Sequence, residues 1–263
     1  MSAEHSGSRR PRTGAPRLTR HVAPGVHRLE HAHVNCYLIE DQGQVTIVDT
    51  GLPASWRILP DVLAAIGSSR SAVQAVVITH AHFDHLGFAH AIHQDWGVPV
   101  HGHPDEAYLA VHPYRYAHES PRIRYPFRYP GSIPVLARMA GAGALRVRGL
   151  EGLQAMGIDA ALDVPGRPRV VFSPGHTFGH CALHLPERGV LFSGDALVTF
   201  DPYTTERGPR VVAAAATADT AEALRSLSRL DDTEAATVLP GHGEPWRHGV
   251  RAATAAAREA GVR

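Results

Sequence analysis

The chain contains no lysine, so all 26 basic residues among its 263 are arginine. This absence excludes Schiff-base chemistry on a lysine and the phosphate-binding loop that requires one. Cysteine is almost as scarce: only Cys36 and Cys181 occur, far apart and in no CxxC pattern. A disulfide framework is therefore not expected, and this cysteine usage is typical of a cytoplasmic protein.

Long apolar segments are missing as well. No run approaches the roughly 20 apolar residues that a membrane helix needs, and no apolar core follows the N-terminal arginines as it would in a secretory signal. Apolar residues still make up 44% of the chain and charged residues 19%, as in ordinary globular proteins. We therefore expect a soluble cytoplasmic protein that does not bind a membrane.

The net charge of +1 is unevenly distributed along the chain. Arginine is concentrated in residues 1–20, where low apolar content predicts a disordered tail, and again in residues 113–150. The remainder, which would form most of the folded body, is acidic. A nucleic-acid-binding domain would instead present a basic folded face, so we expect a small-molecule substrate and no nucleic-acid partner.

Hydrophobic periodicity predicts one domain over residues 21–263, in which strands alternate with helices. The run at 73–79 is continuously apolar and β-branched, which indicates a strand buried on both faces. For the helix at 217–230, either Thr217 or Asp219 could be the N-terminal cap. The other predicted strands are 26–30, 35–39, 45–48, 98–101, 169–173, 181–185, 190–193 and 237–239, and the other predicted helices are 56–66, 88–96, 105–111 and 250–260.

Residues 113–150 interrupt this alternation and are predicted to be an insertion, helical in part. Arginines alternate there with aromatic residues such as Tyr116 and Tyr125. Such a segment could cover a site as a lid that contacts the substrate, or it could form the interface of a homo-oligomer. The sequence leaves both alternatives open.

The most informative segment directly follows the buried strand and reads His80-Ala81-His82-Phe83-Asp84-His85. Ligands of α/β sheets collect at the carboxyl ends of strands, and histidine with aspartate suits a cation such as Zn²⁺. Three more candidates each follow a predicted strand and a glycine: His176, Asp195 and His242. Seven such residues can hold two metals about 3.5–4 Å apart.

These ordered motifs, together with Asp49 in an Ile-Val-Asp-Thr-Gly sequence, resemble the metallo-β-lactamase fold hydrolase superfamily. The resemblance extends over nearly all of residues 25–248 and is closest to the glyoxalase II and lactonase-like dinuclear zinc enzymes. It implies an α/β fold, the αββα sandwich, in which two mixed β-sheets pack face to face with helices outside.

The resemblance also implies a role for each motif residue. One zinc would be held by His80, His82 and His176, and the other by Asp84, His85 and His242. Asp195 would bridge the two, and Asp49 would orient the ligand loop without touching metal. Two Zn²⁺ per chain are expected, with iron or manganese as alternative metals.

The implied reaction is hydrolysis of a small ester, lactone or thioester by a hydroxide that bridges the metals. Asp84 would carry a proton to the leaving group. Tyr203 is a candidate for the tyrosine that lactonases place near their metals, although a turn residue in Asp-Pro-Tyr-Thr is the favoured interpretation.

Several alternatives can be weighed on the same residues. Asp195 stands where some true β-lactamases of this fold have cysteine or serine, so β-lactamase activity is disfavoured. The lack of lysine disfavours the glutathione site of the glyoxalase enzymes. An iron-dependent persulfide dioxygenase would need only His80, His176 and Asp195, and a non-catalytic binding protein would be expected to have lost ligands. The dinuclear hydrolase is the favoured interpretation.

Overall fold

The structure is a computed structural model that describes residues 14–263. Its larger β-sheet has seven strands, which lie side by side in chain order. The first four strands pair antiparallel, and from the fourth strand onwards the pairing is parallel. These strands are β1 (Arg17–Ala23), β2 (Val26–His31), β3 (Val34–Asp41), β4 (Gln44–Val48), β5 (Val73–Val77), β6 (Val100–Gly102) and β7 (Gln154–Ala155).

The smaller sheet has four strands: β8 (Arg169–Phe172), β9 (Cys181–Leu185), β10 (Val190–Gly194) and β13 (Thr237–Pro240). It is also mixed, because β10 pairs parallel with β13 and antiparallel with β9. A separate two-stranded ribbon consists of β11 (Val198–Phe200) and β12 (Arg207–Arg210).

Strand β3 shows why the two sheets pack against each other. Its alternating side chains are apolar on both faces, so both faces are buried. Tyr37 and Ile39 point into the layer between the sheets, where the Tyr37 ring lies 5.2 Å from that of Phe192. Cys36 and Leu38 point the other way, into the layer beneath the helices.

Seven α-helices complete the described fold: α1 (Leu59–Ala65), α2 (Ala89–Trp96), α3 (Ala107–Val111), α4 (Arg124–Arg128), α5 (Ser132–Gly141), α6 (Thr220–Asp231) and α7 (Val250–Ala260). Helices α1 and α2 cover the outer face of the larger sheet, and α6 and α7 cover that of the smaller sheet. The predicted sandwich of two mixed sheets between helices is therefore confirmed. In residues 14–263, no helix has the length and apolar character needed to cross a membrane.

The structure corrects the boundary of the predicted tail. Residues 1–13 lie outside the described part of the chain, but β1 already begins at Arg17, so disorder up to residue 20 is wrong for the last four residues. The polar sequence hid this strand because its hydrogen-bonding partners lie in β2, and Arg17 donates to Glu30 across the pair at 2.8 Å. That the chain forms a single domain up to residue 263, and that the protein is cytoplasmic, stay predictions.

Helix α6 resolves the choice between the two predicted caps. Asp219 is the cap, because its Oδ1 accepts a hydrogen bond of 2.8 Å from the backbone N–H of Glu222. The hydroxyl of Thr217 instead donates to the Val212 carbonyl and lies 3.5 Å from Nδ1 of His176.

Replacing the cap tests this assignment. Asp219→Ala should lower the free energy of unfolding by about 1 kcal/mol, because the Glu222 N–H loses its acceptor. Asp232→Ala, at the exposed other end of the same helix, is the matched control and should change it by less than about 0.5 kcal/mol. Urea unfolding monitored by circular dichroism measures both, and equal effects would contradict the capping role.

Candidate metal centre

The histidine-rich loop begins where β5 ends, and Asp49, which follows the neighbouring strand β4, holds it in place. Oδ1 of Asp49 accepts the backbone N–H of Thr79 at 2.7 Å, and Oδ2 accepts Nδ1–H of His85 at 2.9 Å. Asp49 itself has the left-handed φ of 57°, which aspartate tolerates better than most residues. Adjacent parallel strands thus bring Asp49 and the loop to one edge of the sheet.

The smaller sheet supplies the other predicted ligands. Asp195 directly follows β10, His242 lies two residues after β13, and His176 lies in the loop after β8. Nε2 of His176 is 3.0 Å from Nδ1 of His82. Nε2 of His242 is 3.4 Å from Oδ2 of Asp84. The structure therefore brings together residues from both sheets that are up to 162 positions apart in the numbering, from His80 to His242.

The Asp195 carboxylate lies between the two predicted ligand sets. Its Oδ1 is 3.4 Å from Nε2 of His85, and its Oδ2 is 3.2 Å from Nε2 of His242 and 3.6 Å from Nε2 of His176. Within each of three groups, all donor atoms lie within 4.8 Å of one another: His80, His82 and His176; His80, His85 and Asp195; and Asp84, His85 and His242. The first and third are the two predicted sets, and the second connects them.

The orientation of four imidazole rings fits a metal centre. In each ring Nδ1 meets an oxygen outside the cluster, which leaves the lone pair on Nε2 free to coordinate. These oxygens are Thr79 Oγ1 for His80 at 3.0 Å, Asp49 Oδ2 for His85 at 2.9 Å, Thr217 Oγ1 for His176 at 3.5 Å and the His33 carbonyl for His242 at 2.8 Å.

Several buried polar atoms at the centre have no hydrogen-bond partner among the described residues. They include Nε2 of His80, Nε2 of His85 and Oδ1 of Asp195. Because an unpaired buried polar atom is costly, such a cluster calls for a ligand. Divalent cations satisfy nitrogen lone pairs and carboxylate oxygens together, so the residues present fit the metals that the resemblance implies.

The electrostatics of the cluster agree with this fit. Burial lowers the pKa of His80 and His82 well below the ordinary histidine value and that of His176 to about 4, so these rings are neutral, as metal ligands must be. Burial alone would also lower the pKa of His242, but the carboxylates of Asp195 and Asp84 raise it to about 10. A site that attracts a proton this strongly attracts a cation for the same reason.

His180 supports the bridging position and does not join the ligands. Its Nε2 accepts the backbone N–H groups of Asp195 at 3.1 Å and Ala196 at 3.2 Å, and its Nδ1 lies 2.9 Å from Oγ of Ser173. Burial lowers its pKa to about 3, which keeps the ring neutral and able to accept these bonds.

The glycines before the ligands do more than permit turns. Gly194 has the left-handed φ of 50°, as expected for a sharp turn into Asp195. Gly241 serves close packing, because a Cβ there would lie 2.1 Å from Oδ1 of Asp195 and 2.6 Å from Cε1 of His85.

A narrow cavity of about 20 Å³ is lined by five of the predicted ligands. Its other walls are mostly apolar, and three of its side chains come from residues 113–150: Tyr116, Leu136 and Met139. The full lining is His82, Phe83, Asp84, Tyr116, Leu136, Met139, His176, Asp195, Pro202, Tyr203, Val212, Ala216 and His242.

Tyr203 lies in the cavity wall, and its hydroxyl is 3.3 Å from that of Tyr116. Its backbone N–H donates to Oδ1 of Asp201 at 2.8 Å, so the residue also belongs to the turn expected from the sequence. The two interpretations of Tyr203 are therefore compatible.

The sequence named Tyr116 only within a possible lid, and it did not reveal Glu106 or the His33 carbonyl as parts of the site. Glu106 follows β6, the next parallel strand, and its carboxylate accepts backbone N–H groups from Ala81 and Gly179. An acid just after a strand of the parallel half of the sheet was a usable signal for Glu106. No comparable signal exists for a backbone carbonyl.

Known proteins similar to this chain agree on its family. The sequence model of one family, described as the metallo-beta-lactamase superfamily, matches residues 30–242. The probable metallo-hydrolase YflN of Bacillus subtilis (strain 168) is 27% identical over 85% of this chain and 86% of its own length. Hydroxyacylglutathione hydrolase of Rhodobacter capsulatus is 27% identical over 62% of this chain and 48% of its own.

Among solved structures, TTHA1623, crystallised in a di-iron-bound form, superimposes with a TM-score of 0.58 at 26% identity. The match covers 84% of this chain and 93% of that one. The resemblance inferred from the motifs is thereby confirmed.

Proposed function

The chain belongs to the metallo-beta-lactamase superfamily, and from this premise we propose that it is a dinuclear zinc hydrolase of a small ester, lactone or thioester. That it is a metal-dependent hydrolase follows from its family. One observation carries the finer proposal: two complete ligand sets share the Asp195 carboxylate at the bottom of a small cavity.

Zinc is the proposed metal because five imidazoles with carboxylates are donors of the borderline kind that it prefers. Iron and manganese accept the same donors, and the similarity to a protein with a di-iron form keeps iron as the main alternative metal. Two divalent cations in these sets would supply Lewis acidity, which lowers the pKa of water and polarises a carbonyl group.

The side chains of the cavity have distinct proposed roles. Asp84 takes the proton released when water attacks the substrate carbonyl and delivers it to the leaving alkoxide or thiolate. Its carboxylate is in the cavity wall and lies 3.4 Å from His242, which holds it towards the centre. Asp49 fixes the ring of His85 from outside the cavity.

Tyr203 is proposed to donate a hydrogen bond to the substrate. Burial raises the pKa of its phenol well above the ordinary value, and the nearby Tyr116 and Asp84 act in the same direction. The hydroxyl is therefore protonated at neutral pH and is able to stabilise the negative charge that develops on the carbonyl oxygen.

The cavity walls restrict the substrate. Outside the predicted ligands they consist of apolar side chains and the two tyrosines, so they favour an uncharged acyl group. The similarity to hydroxyacylglutathione hydrolase supports keeping thioesters among the candidates. The position of Tyr116, Leu136 and Met139 in the wall supports the lid interpretation of residues 113–150.

The persulfide dioxygenase is the less favoured alternative. It would use His80, His176 and Asp195 and would leave four other predicted ligands without a role. The convergence of Asp84, His85 and His242 in a second set supports two metals.

Metal content is the first test. Protein purified without added metal or chelator should contain about two zinc ions per chain by plasma mass spectrometry, because both sets are complete. His242→Ala should reduce this to about one. A wild-type content of about one iron with little zinc would contradict the proposal and favour the dioxygenase.

Asp84→Asn tests the proton-transfer role. The amide keeps the shape of the side chain but cannot carry the proton, so kcat on an ester, lactone or thioester substrate should fall about 100-fold or more. Because Asp84 is also a predicted metal ligand, the loss is assigned to proton transfer when the variant still contains about two zinc ions per chain. Asp105→Asn, an exposed carboxylate outside the cavity, is the matched control and should retain wild-type kcat. Full activity of Asp84→Asn would refute the role.

Tyr203→Phe tests the proposed hydrogen bond to the substrate. Loss of one donor to a developing oxyanion should lower kcat/KM by roughly 10- to 100-fold. Tyr108→Phe, whose side chain is exposed, should leave kcat/KM unchanged. If the two variants behave alike, Tyr203 is a turn residue only.

A further inference from the structure

Glu106 is a buried carboxylate outside the cavity, and its side chain joins two of the ligand loops. Only 1% of the residue is exposed. Oε2 accepts the backbone N–H of Ala81 at 2.7 Å, and Oε1 accepts the backbone N–H of Gly179 at 2.9 Å. Ala81 lies between the predicted ligands His80 and His82, and Gly179 lies in the loop that carries His176.

No arginine or histidine within residues 14–263 forms an ion pair with Glu106. Burial therefore raises its pKa, and the Thr177 side chain together with the N–H groups of Ala81 and Gly179 counteracts this shift by favouring the carboxylate. A buried carboxylate is costly unless its oxygens accept hydrogen bonds. Here each oxygen takes one N–H from a different loop, so the carboxylate acts as a cross-link between them.

The packing around Gly179 shows how closely the two loops are held. A Cβ at this position would lie 2.8 Å from Oε1 and 2.9 Å from Cγ of Glu106. Glycine thus lets the second loop approach the carboxylate directly. The nitrogens that the cross-link brings together are those of the three-histidine set, in which Nε2 of His176 and Nδ1 of His82 are 3.0 Å apart.

We propose that Glu106 is a positioning residue that fixes the spacing between His80, His82 and His176, and so sets the metal affinity of that set. Asp49 performs the complementary task from the other side, at Thr79 and His85. The role of Glu106 rests on the proposed metal centre but not on any particular substrate.

Glu106→Gln is the informative substitution. The amide has one acceptor oxygen and one NH₂ group, so it can keep one N–H bond but must face the other N–H with a donor. Loss of a hydrogen bond that positions metal ligands from outside the ligand set typically weakens metal binding by about 10- to 100-fold. The affinity of the three-histidine set should fall by about that factor.

Asp201→Asn is the matched control. Asp201 is equally buried, and its two oxygens likewise accept backbone N–H groups from separate segments, those of Tyr203 and Ala213. Neither segment carries a predicted ligand. This variant should lose comparable stability and keep the wild-type zinc affinity of the three-histidine set.

The experiment is a titration of metal-free protein with Zn²⁺ against a chromophoric chelator, for wild type, Glu106→Gln and Asp201→Asn. Repeating it in a His242→Ala background, which lacks a donor of the second set, assigns the affected affinity to the three-histidine set. Urea unfolding of the metal-free proteins measures stability separately. If Glu106→Gln does not fold, Gly179→Ala displaces the same carboxylate from the other loop and should weaken the same affinity.

Selective weakening of the three-histidine set by Glu106→Gln or Gly179→Ala supports the proposal. Wild-type zinc affinity in the folded variant, or a loss equal to that of Asp201→Asn, overturns it. These outcomes are independent of activity: a wild type that binds two zinc ions but hydrolyses no ester, lactone or thioester contradicts the proposed function alone. A wild type that binds no zinc contradicts both.

Discussion

The hydrogen bonds that Asp49 accepts from Thr79 and His85 fix the loop on which the rest of the site depends. Beyond β5 the loop has left the strand ladder, so its backbone groups need partners of another kind. The Asp49 carboxylate, at the end of the neighbouring strand, supplies them. It also accepts a hydrogen bond from Nδ1–H of His85, which places the proton of that ring on Nδ1. The ring then presents Nε2 to the centre, beside Asp195.

The same principle recurs around the cluster. Oxygens outside it occupy Nδ1 of four histidines, and His180 accepts the backbone N–H of Asp195. The atoms of the cluster that remain unpaired, among them Nε2 of His80 and of His85, are buried within the predicted ligand groups. These unsatisfied polar atoms lower the stability of the metal-free fold, and a bound cation would satisfy them. Metal binding is therefore coupled to the free energy of unfolding.

The two-sheet architecture makes this convergence feasible. Each sheet contributes ligands from strand ends, and the apolar layer between the sheets, with Tyr37 packed on Phe192, holds the two sets of ends together. The segment at 113–150 then encloses the centre with Tyr116 and Met139, while Phe127 of the same segment is 83% exposed. The inner side of this segment thus lines the cavity, whereas Phe127 on its outer side does not contact the cavity.

Local patterns in the sequence determined much of this protein. The β-branched run of β5, the periodicity of α6 and the ligand motif around His80 each lie within a short segment, so their structure and chemistry could be predicted from neighbouring residues. Only the tertiary structure decided which contacts hold the site together. The bond from Glu106 to Gly179, the His33 carbonyl on His242 and the Tyr116 wall join distant segments. Such contacts leave no periodic signal in the sequence, because they depend on where the packing of two sheets places each loop.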